Sequence, residues 1–518
     1  MASLSRRRKL YASVGAALAV VTASALPSIA SAATAGTTTK PVTLSAVPLG
    51  INVGPWDYDY SQSGSVAAVQ PLLKAAGIRQ LRYGGGTSAD FYDWQTNTSI
   101  QDCLPYDATA SFTSDCASVE ALGFSPFSRQ ARAIGASSFV TVNYGSGTPA
   151  EAAAWVTQAA QGSAQAVGLW EVGNENYGCW EVNNELAGSP EYFQNYTPGI
   201  HDANGQNPTC PMVTEGNPVG MQTMATSYAV NAKLFLTAMK AADSKIAIGV
   251  PWAFGANVPG ASVADSSEWN NTVLGTDGKY VSFVDAHYYP YGYAGTTGGS
   301  NPTIAQVLGS LWRIPAIFKS IRTELSTYDP KASVIVGETG VSNHPTMTTC
   351  TPVGALFAAG DVLSWLAAGA RSVDWWDMDN YGSNTGSRCV NSDEGMFSSS
   401  VVKHVGNTPY YGYLLASVLA QPHAVLGTLS TSNAANVLAF QAVLPSGKKA
   451  VALININTGC AERVTFKLKL SGTLQTWHYS AGNQNATRSK IVTGTASAGS
   501  VSKGITLPAE SITILETR

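Results

Sequence analysis

The sequence predicts an α/β fold class, a (β/α)8 (TIM) barrel followed by a C-terminal antiparallel β-sandwich. Three observations predict it. Eight short Val- and Ile-rich runs alternate with period-3.6 apolar patterns between residues 49 and 376. After Pro422 the helical patterns stop, and short alternating runs separated by Gly, Ser, Asn and Pro take over. The chain of 518 residues is 45% apolar and only 12% charged, with ample material for a core and too little charge for a disordered chain.

The N-terminus reads as an address. Residues 5–9 are SRRRK, an apolar run covers 10–26, and Pro27 precedes Ala30-Ser31-Ala32. A basic head, a short apolar middle and an A-x-A site predict a signal peptide over residues 1–32 and a secreted, extracellular protein. Ser5, Arg6, Arg7 and Leu10 also fit twin-arginine export. Removing this segment takes away four positive charges and leaves 26 basic against 33 acidic residues. That balance offers no basic excess for nucleic acid. No later run is long and apolar enough to span a bilayer; the best candidate, 353–370, is broken by Asp361.

Residues 33–46 read as a linker or a strand added to the sandwich, 47–422 as the barrel and 423–518 as the sandwich. The barrel runs are 49–53, 79–83, 138–143, 167–172, 245–250, 281–286, 333–336 and 372–376. Helices are predicted over 65–76, 150–161, 222–242, 304–328 and 352–368, with Pro149 opening the second of these. Eight such units favour a closed barrel over an open doubly wound sheet, because no Gly-rich phosphate loop follows the first strand. Arg82-Tyr83-Gly84-Gly85-Gly86 follows the second strand and reads as a tight turn with close backbone passage. The sandwich runs are 424–429, 436–443, 449–455, 463–470, 473–479 and 511–516. Long loops are expected over 87–137 and 177–221. Seven Cys are present, and in an exported chain they can pair. Sequence neighbours suggest Cys103–Cys116, Cys179–Cys210 and Cys350–Cys389, leaving Cys460 alone. Their spacings fit no zinc pattern.

Catalytic groups of such barrels sit at the C-terminal ends of strands. Those ends carry Asn52 and Trp56, Arg82, Asn143, Asn174-Glu175, His287-Tyr288-Tyr289, Glu338 and Trp376-Asp377. Two glutamates, Glu175 and Glu338, face each other across the predicted mouth. Glycosidic cleavage needs such a pair, one carboxyl protonated for the leaving oxygen and one ionised.

The local strings add a resemblance. WEVGNEN (170–176) resembles the acid/base strand of clan A glycoside hydrolases, which implies Glu175 as acid/base and Asn174 as the ligand of the sugar 2-hydroxyl. VIVGETG (334–340) resembles the nucleophile strand, which implies Glu338. His287-Tyr288-Tyr289-Pro290 resembles the sixth-strand motif, whose Tyr, here Tyr289, hydrogen-bonds the nucleophile. Trp375-Trp376 resembles the aromatic floor of the sugar site, with Trp376 as the eighth-strand contact. Residues 72–98, 140–156 and 268–275 are similar to secreted actinobacterial α-L-arabinofuranosidase-like proteins. GGGTSADF (84–91) and GETG (337–340) also look like heparanase-type β-glucuronidases. The resemblance implies a retaining two-glutamate mechanism on polysaccharide or oligosaccharide, with no cofactor or metal, and carboxyl groups roughly 5–5.5 Å apart.

Each residue has a structural reading beside the functional one. Arg82 is either a sugar ligand or an ion pair under the mouth. His287 is either a sugar contact or an orienter of its neighbours. Trp56 and Trp94 either stack on a sugar or fill the core. Asn143 and Asn52 are further subsite candidates. Glu171 reads as structural, with alternation pointing it away from Glu175 unless a bulge intervenes. Asp374, Asp377 and Asp379 are rivals to Glu338, while Glu181 and Glu185 read as solvated loop residues. No G-x-S-x-G elbow supports Ser-His-Asp chemistry. A non-catalytic carbohydrate-binding protein is the alternative from another class, and the intact glutamate pair argues against it.

Overall fold

The computed structural model describes residues 40–61, 63–99, 118–161, 167–178, 181, 218–254, 266–290, 303–341, 351–378, 394–397, 406–480 and 491–518. The predicted signal peptide, Glu185, Asp379 and every Cys except Cys460 lie outside the described residues. Cys460 is free and exposed.

Eight parallel strands close into a barrel: β1 (Leu49–Val53), β2 (Gln80–Tyr83), β3 (Ser137–Val142), β4 (Val167–Val172), β5 (Ile248–Trp252), β6 (Phe283–Tyr288), β7 (Ser333–Thr339) and β8 (Val373–Trp375). They are the eight runs legible in the sequence, and each pairs with its sequence neighbours until β8 closes on β1. Outside the barrel lie α1 (Ser63–Ala75), α2 (Phe124–Ile134), α3 (Pro149–Gln161), α4 (Pro218–Ala242), α5 (Ser266–Asp277), α6 (Ile304–Ser310), α7 (Ile314–Tyr328), α8 (Pro352–Ala368) and α9 (Thr408–Ala416).

Two features of this region depart from the sequence reading, and one agrees with it. The single helix expected over 304–328 is two, because Pro315 lies in the first turn of α7 and cannot continue the hydrogen-bond ladder of α6. The loop expected over 87–137 holds α2 and a small sheet of Tyr92–Asp93, Thr98–Ser99 and Ser118–Val119. α2 buries Phe124, Phe127, Ala131 and Ile134 along one face, a helical spacing that Pro126 in its first turn masks. The best membrane-span candidate is α8, whose residues are buried in the barrel's helical layer; no helix among the described residues is long and apolar enough to cross a membrane.

The barrel interior is layered. At its N-terminal end Phe139, Leu169, Phe283 and Ile335 form an apolar plug. Above it the inward set turns polar: Gln80, Arg82, Thr141, Glu171, Asp285 and Asp374 are all buried. Two glycines make room for this layer. A Cβ on Gly50 would lie 2.0 Å from Asp374 Oδ1, and one on Gly337 would lie 2.0 Å from Asp285 Oδ2.

The C-terminal region contains β9 (Val425–Thr428), β10 (Val437–Val443), β11 (Lys449–Asn455), β12 (Glu462–Val464), β13 (Thr473–Ser480), β14 (Val492–Ser497), β15 (Ile505–Leu507) and β16 (Ser511–Thr517). Seven strands form one antiparallel sheet in the order Val42–Thr43, β9, β10, β11, β16, β13, β14. The strand expected near residues 40–47 is thus an edge of this sheet. β12 and β15 pair separately, so the long run expected over 463–470 shrinks to a short strand, and a helical turn, Ala498–Ser502, interrupts the strands.

Candidate active site

The deepest element of the site is Arg82, at the middle of the barrel on β2. Its Nη1 donates to Glu338 Oε1 at 2.7 Å and to Asn52 Oδ1 at 3.0 Å. Its Nη2 donates to Glu171 Oε2 at 2.9 Å and to Asn174 Oδ1 at 3.1 Å. Nε lies 3.5 Å from Asp285 Oδ2. The side chain is fully buried, so Arg82 is the ion pair of its two readings and is out of reach of a sugar. Burial opposes its charge, but Glu171, Glu338 and Asp285 raise its pKa above the already high ordinary value.

One guanidinium cannot neutralise all the acids around it. Burial and the charge of Asp285 push the Glu171 carboxyl up to about 8, against the pull of Arg82. Glu171 also accepts from Thr141 Oγ1 at 3.0 Å. Its structural role stands, but the alternation expectation fails: the strand ends at Val172 and the chain turns left-handed at Gly173 and Glu175, so strand alternation does not reach Glu175, and Glu171 points into the barrel beneath that turn.

β7 delivers Glu338 through a bulge. Ala286 pairs with Val336, whereas His287 pairs with Glu338, so Gly337 is an extra residue on β7. The register against β8 slips by one over the same stretch. A bulge reverses the alternation. Ile335 and Gly337 face inward, and Glu338, which would otherwise face the helices, turns inward too. Glu338 Oε2 accepts from Tyr289 Oη at 2.9 Å. Burial pushes its carboxyl above the ordinary value, with the charge of Glu175 adding to the rise, while His287, Arg82 and the Tyr289 hydroxyl pull it back down.

Glu175 sits just past β4 in a left-handed turn. Gly173 has φ +77°, where a Cβ would lie 2.0 Å from Asn176 Oδ1, and Glu175 itself has φ 45°. A glutamate held there is strained, as residues at functional sites often are. His287 Nδ1 lies 2.7 Å from Glu175 Oε1 and 3.5 Å from Glu338 Oε2, and its Nε2 lies 3.4 Å from Asp285 Oδ2. Burial alone would lower the imidazole pKa, but Glu338, Asp285 and Glu175 hold it well above its ordinary value. His287 is buried between the two glutamates and within hydrogen-bond distance of Glu175. One oxygen of Glu175, one of Glu338 and a His287 ring nitrogen lie within 4.8 Å of one another. Such a set could bind a divalent cation, but the His287–Glu175 and Tyr289–Glu338 hydrogen bonds already account for it. A second grouping of Glu171, Asp285 and His287 is served by the charge of Arg82.

The other predicted residues take distinct places. Trp56 and Trp376 are half-buried on the rim, with ring centroids 6.2 Å apart. Gly86, at φ +72°, lies under Trp376, where a Cβ would come within 2.6 Å of its ring, so the Gly-rich turn is a close backbone passage, as its sequence suggests. Trp94 stacks on Trp155 with centroids 5.5 Å apart and belongs to the core. Asn52 donates to the Gly337 and Trp375 carbonyls. Asn143 ties the turn after β3 by accepting from Ser146 N and donating to Tyr92 O. Asn52 thus braces Arg82 and the backbone beside Glu338, whereas the hydrogen bonds of Asn143 stay within the turn after β3 and Tyr92. Asp374 is buried against Gln80, well below the mouth.

Glu181 is a correction. Expected in solvent, it is 5% exposed. Gly178 N donates to Glu175 O and Glu181 N to Gly178 O, which keeps Glu181 close to the turn after β4. Sequence reasoning also missed Asp285 and Tyr177. Asp285 stands two residues before His287 on one strand, hence on the same face. Tyr177 is buried and hydrogen-bonds Glu175, and only its closeness in sequence to the Gly-Asn-Glu string pointed to it.

The chain is similar to solved structures that share this architecture. The α-L-arabinofuranosidase of Thermotoga maritima, solved as an arabinose complex, aligns with a TM-score of 0.64 at 16% identity, covering 94% of this chain and 98% of that one. A family 44 xyloglucanase of Paenibacillus polymyxa aligns with a TM-score of 0.58 at 12% identity, covering 92% and 97%. A family 39 β-xylosidase of Caulobacter crescentus aligns with a TM-score of 0.53 at 12% identity, covering 93% and 98%. At these identities the likeness establishes the fold, a parallel barrel followed by a β-sandwich. No protein-family model matches the chain, and no curated protein matches it.

Proposed function

We propose that the chain is an exported, retaining glycoside hydrolase of α-L-arabinofuranosidase type that cleaves polysaccharide or oligosaccharide by double displacement. The observation that carries this reading is the spacing of the two carboxyl groups. One oxygen of Glu175 and one of Glu338 lie within 4.8 Å of each other, a close approach that supports the roughly 5–5.5 Å carboxyl separation of retaining pairs. The bulge in β7 and the turn after β4 exist to bring these two groups together.

In this reading Glu338 attacks the anomeric carbon and Glu175 protonates the departing glycosidic oxygen. A glycosyl ester on Glu338 results. Glu175, now ionised, takes a proton from water as that water attacks the same carbon and releases Glu338. Arg82 and Tyr289 donate to different oxygens of Glu338, which favours its ionised form before attack and orients its lone pairs. Asn174 meets the sugar 2-hydroxyl. Trp56 and Trp376 offer the rim a pair of apolar faces for a sugar ring. The arabinofuranosidase assignment is supported by the local strings and by the arabinofuranosidase among the structural neighbours. The export assignment is supported by the basic head and A-x-A site of residues 1–32.

A panel of nitrophenyl glycosides tests the reading, with Glu175→Ala and Glu338→Ala beside the parent. The expected result is turnover of the α-L-arabinofuranoside, lost by at least about a thousandfold in Glu338→Ala. NMR of the first-formed product should show retained anomeric configuration. Turnover of the glucuronide instead would keep the mechanism and change the sugar. Inversion, or turnover unaffected in both variants, would overturn the roles of the two glutamates. Saccharide binding without turnover on the panel and on polysaccharide would establish the carbohydrate-binding alternative.

A further inference from the structure

We propose that Glu181 is a positioning residue of this site: its carboxyl group, clamped between Thr87 and Asn174, fixes the orientation in which the Asn174 carboxamide meets a sugar hydroxyl. The inference rests on the glycosidase reading of the site and extends it to a residue beyond the turn after β4.

The two ends of a carboxamide are alike in shape and opposite in hydrogen bonding, so its neighbours decide which way it points. On one side of Asn174 stands Arg82, whose Nη2 donates to Oδ1 at 3.1 Å. Arg82 only donates, so it accepts no other end of the amide. On the other side Asn174 Nδ2 donates to Glu181 Oε1 at 3.0 Å. With both ends engaged, one orientation remains, in which Nδ2 is the end that can offer a second N–H to a ligand. Thr87 Oγ1 donates to the same Glu181 oxygen at 2.9 Å. Thr87 follows Gly86, the glycine beneath Trp376. The clamp therefore joins the turn after β2, the Asn-Glu pair after β4 and the aromatic rim.

The chemical state of Glu181 fits this role. One of its oxygens accepts twice, while Oε2 is buried without a hydrogen-bond partner among the described residues. The oxygen that accepts twice serves the clamp whether the group is ionised or protonated. Burial, with the charges of Asp90 and Glu175 adding to it, pushes its pKa well above the ordinary value. An unpartnered buried oxygen costs stability. An apolar side chain would avoid that cost but would release the amide.

The test compares a nitrophenyl glycoside with its 2-deoxy analogue in the parent, Glu181→Leu and Glu181→Gln. The parent should prefer the 2-hydroxy substrate by about tenfold or more in kcat/KM. Glu181→Leu should lose most of that preference, through a fall in kcat on the 2-hydroxy substrate, while 2-deoxy turnover falls far less. Glu181→Gln keeps a carbonyl oxygen at the same place and should restore the preference. Equal loss on both substrates in Glu181→Leu, or an undiminished preference, would overturn the proposal. A parent enzyme that turns over neither substrate, or shows no preference, defeats the glycosidase reading of Asn174 itself. The clamp is then read without turnover, from the side-chain amide signals of 15N-labelled asparagine, assigned with Asn174→Ala. A shifted, exchange-protected Asn174 pair in the parent and Glu181→Gln, lost in Glu181→Leu, supports the clamp; an unchanged pair in Glu181→Leu overturns it.

Discussion

Tyr289 and Arg82 divide the work of holding Glu338. Arg82 contacts one carboxylate oxygen and Tyr289 the other, and both lower the carboxyl pKa against the burial that raises it. Tyr289→Phe removes one of these pulls, so the Glu338 pKa rises. The ionised nucleophile is then lost at a higher pH than in the parent. The expected outcome is a fall of about tenfold to a hundredfold in kcat/KM, with the acidic limb of its pH profile displaced upward by up to about one unit. A profile measured from pH 4 to 9 checks both. Lower activity with an unmoved limb would mean that Tyr289 packs rather than tunes. At this scale the sequence was most legible where chemistry and position coincide. Glu175 and Glu338 stand at strand ends beside Gly173 and Gly337, which leave room for buried polar side chains next to them. Glu181 was illegible because its burial comes from contacts with Thr87 and Asn174, which no spacing announces. Asp285 was illegible because it lies inside a strand, where an acid gives no hint that a buried arginine awaits it.

β7 and α8 are coupled through a threonine. The bulge that turns Glu338 inward leaves Thr339 facing the helices, where its Oγ1 lies 3.1 Å from Tyr288 O and 3.0 Å from Asp361 Oδ2. A hydroxyl has one hydrogen, and a carbonyl only accepts. Both contacts are satisfied at once if Asp361 is protonated and donates to Thr339, which donates to Tyr288. Burial pushes the Asp361 carboxyl up to about 8, so the protonated form holds at neutral pH. The sign of the linkage follows. The folded chain binds this proton up to about pH 8, while the unfolded chain releases it near pH 4, so folding stability falls as pH rises between those values. Asp361→Asn keeps a donor toward Thr339 and removes the titration. It should match the parent near pH 4 and exceed it at pH 8, by on the order of 5 °C in Tm. Melts in matched buffers from pH 4 to 9 check this, and parallel curves for the two chains would refute it. The same helix shows why a run that resembles a membrane span was readable as core: one acid in an otherwise apolar segment is tolerable when it stays neutral and has a partner. The bulge itself was not readable, because alternation on β7 looks regular until the register on both sides is known.

Across the whole molecule, the sandwich is built into the barrel rather than appended to it. Leu438, Phe440, Ala442, Ala450, Ala452, Ile454, Ile512 and Ile514, from β10, β11 and β16, belong to the same buried apolar cluster as the residues of α8 and α9. The alternate residues of those strands, among them Val437, Ala439, Val451, Leu453 and Leu515, form a second cluster with Val464 of β12 and Leu507 of β15. The central strands are therefore covered on both faces, once by the barrel and once by the smaller sheet. This explains which strands could be read in advance. β10, β11 and β16 carry near-continuous apolar runs, as strands buried on both sides do. β14 is an edge strand with an alternately exposed pattern of Thr, Gly, Ala and Ser, and it gave no signal. The closeness of fit at the junction shows at Gly360 on α8, where a Cβ would lie 2.7 Å from Leu311 and 3.2 Å from Leu438. A chain ending at residue 422 would expose this apolar face of α8 and α9 and leave Val42–Thr43 without its partner strand. We expect residues 33–422 to be insoluble or to unfold far below the full chain, whereas the full chain should unfold in one step. Tryptophan emission tests the second point, because Trp477 is the only Trp beyond residue 422 and the barrel dominates that signal. Far-UV circular dichroism reports both regions, so coincident denaturant transitions by the two probes mean a shared core. A soluble 33–422 fragment that melts at the temperature of the parent would make the sandwich an independent module, and its own affinity for saccharides would then have to be measured.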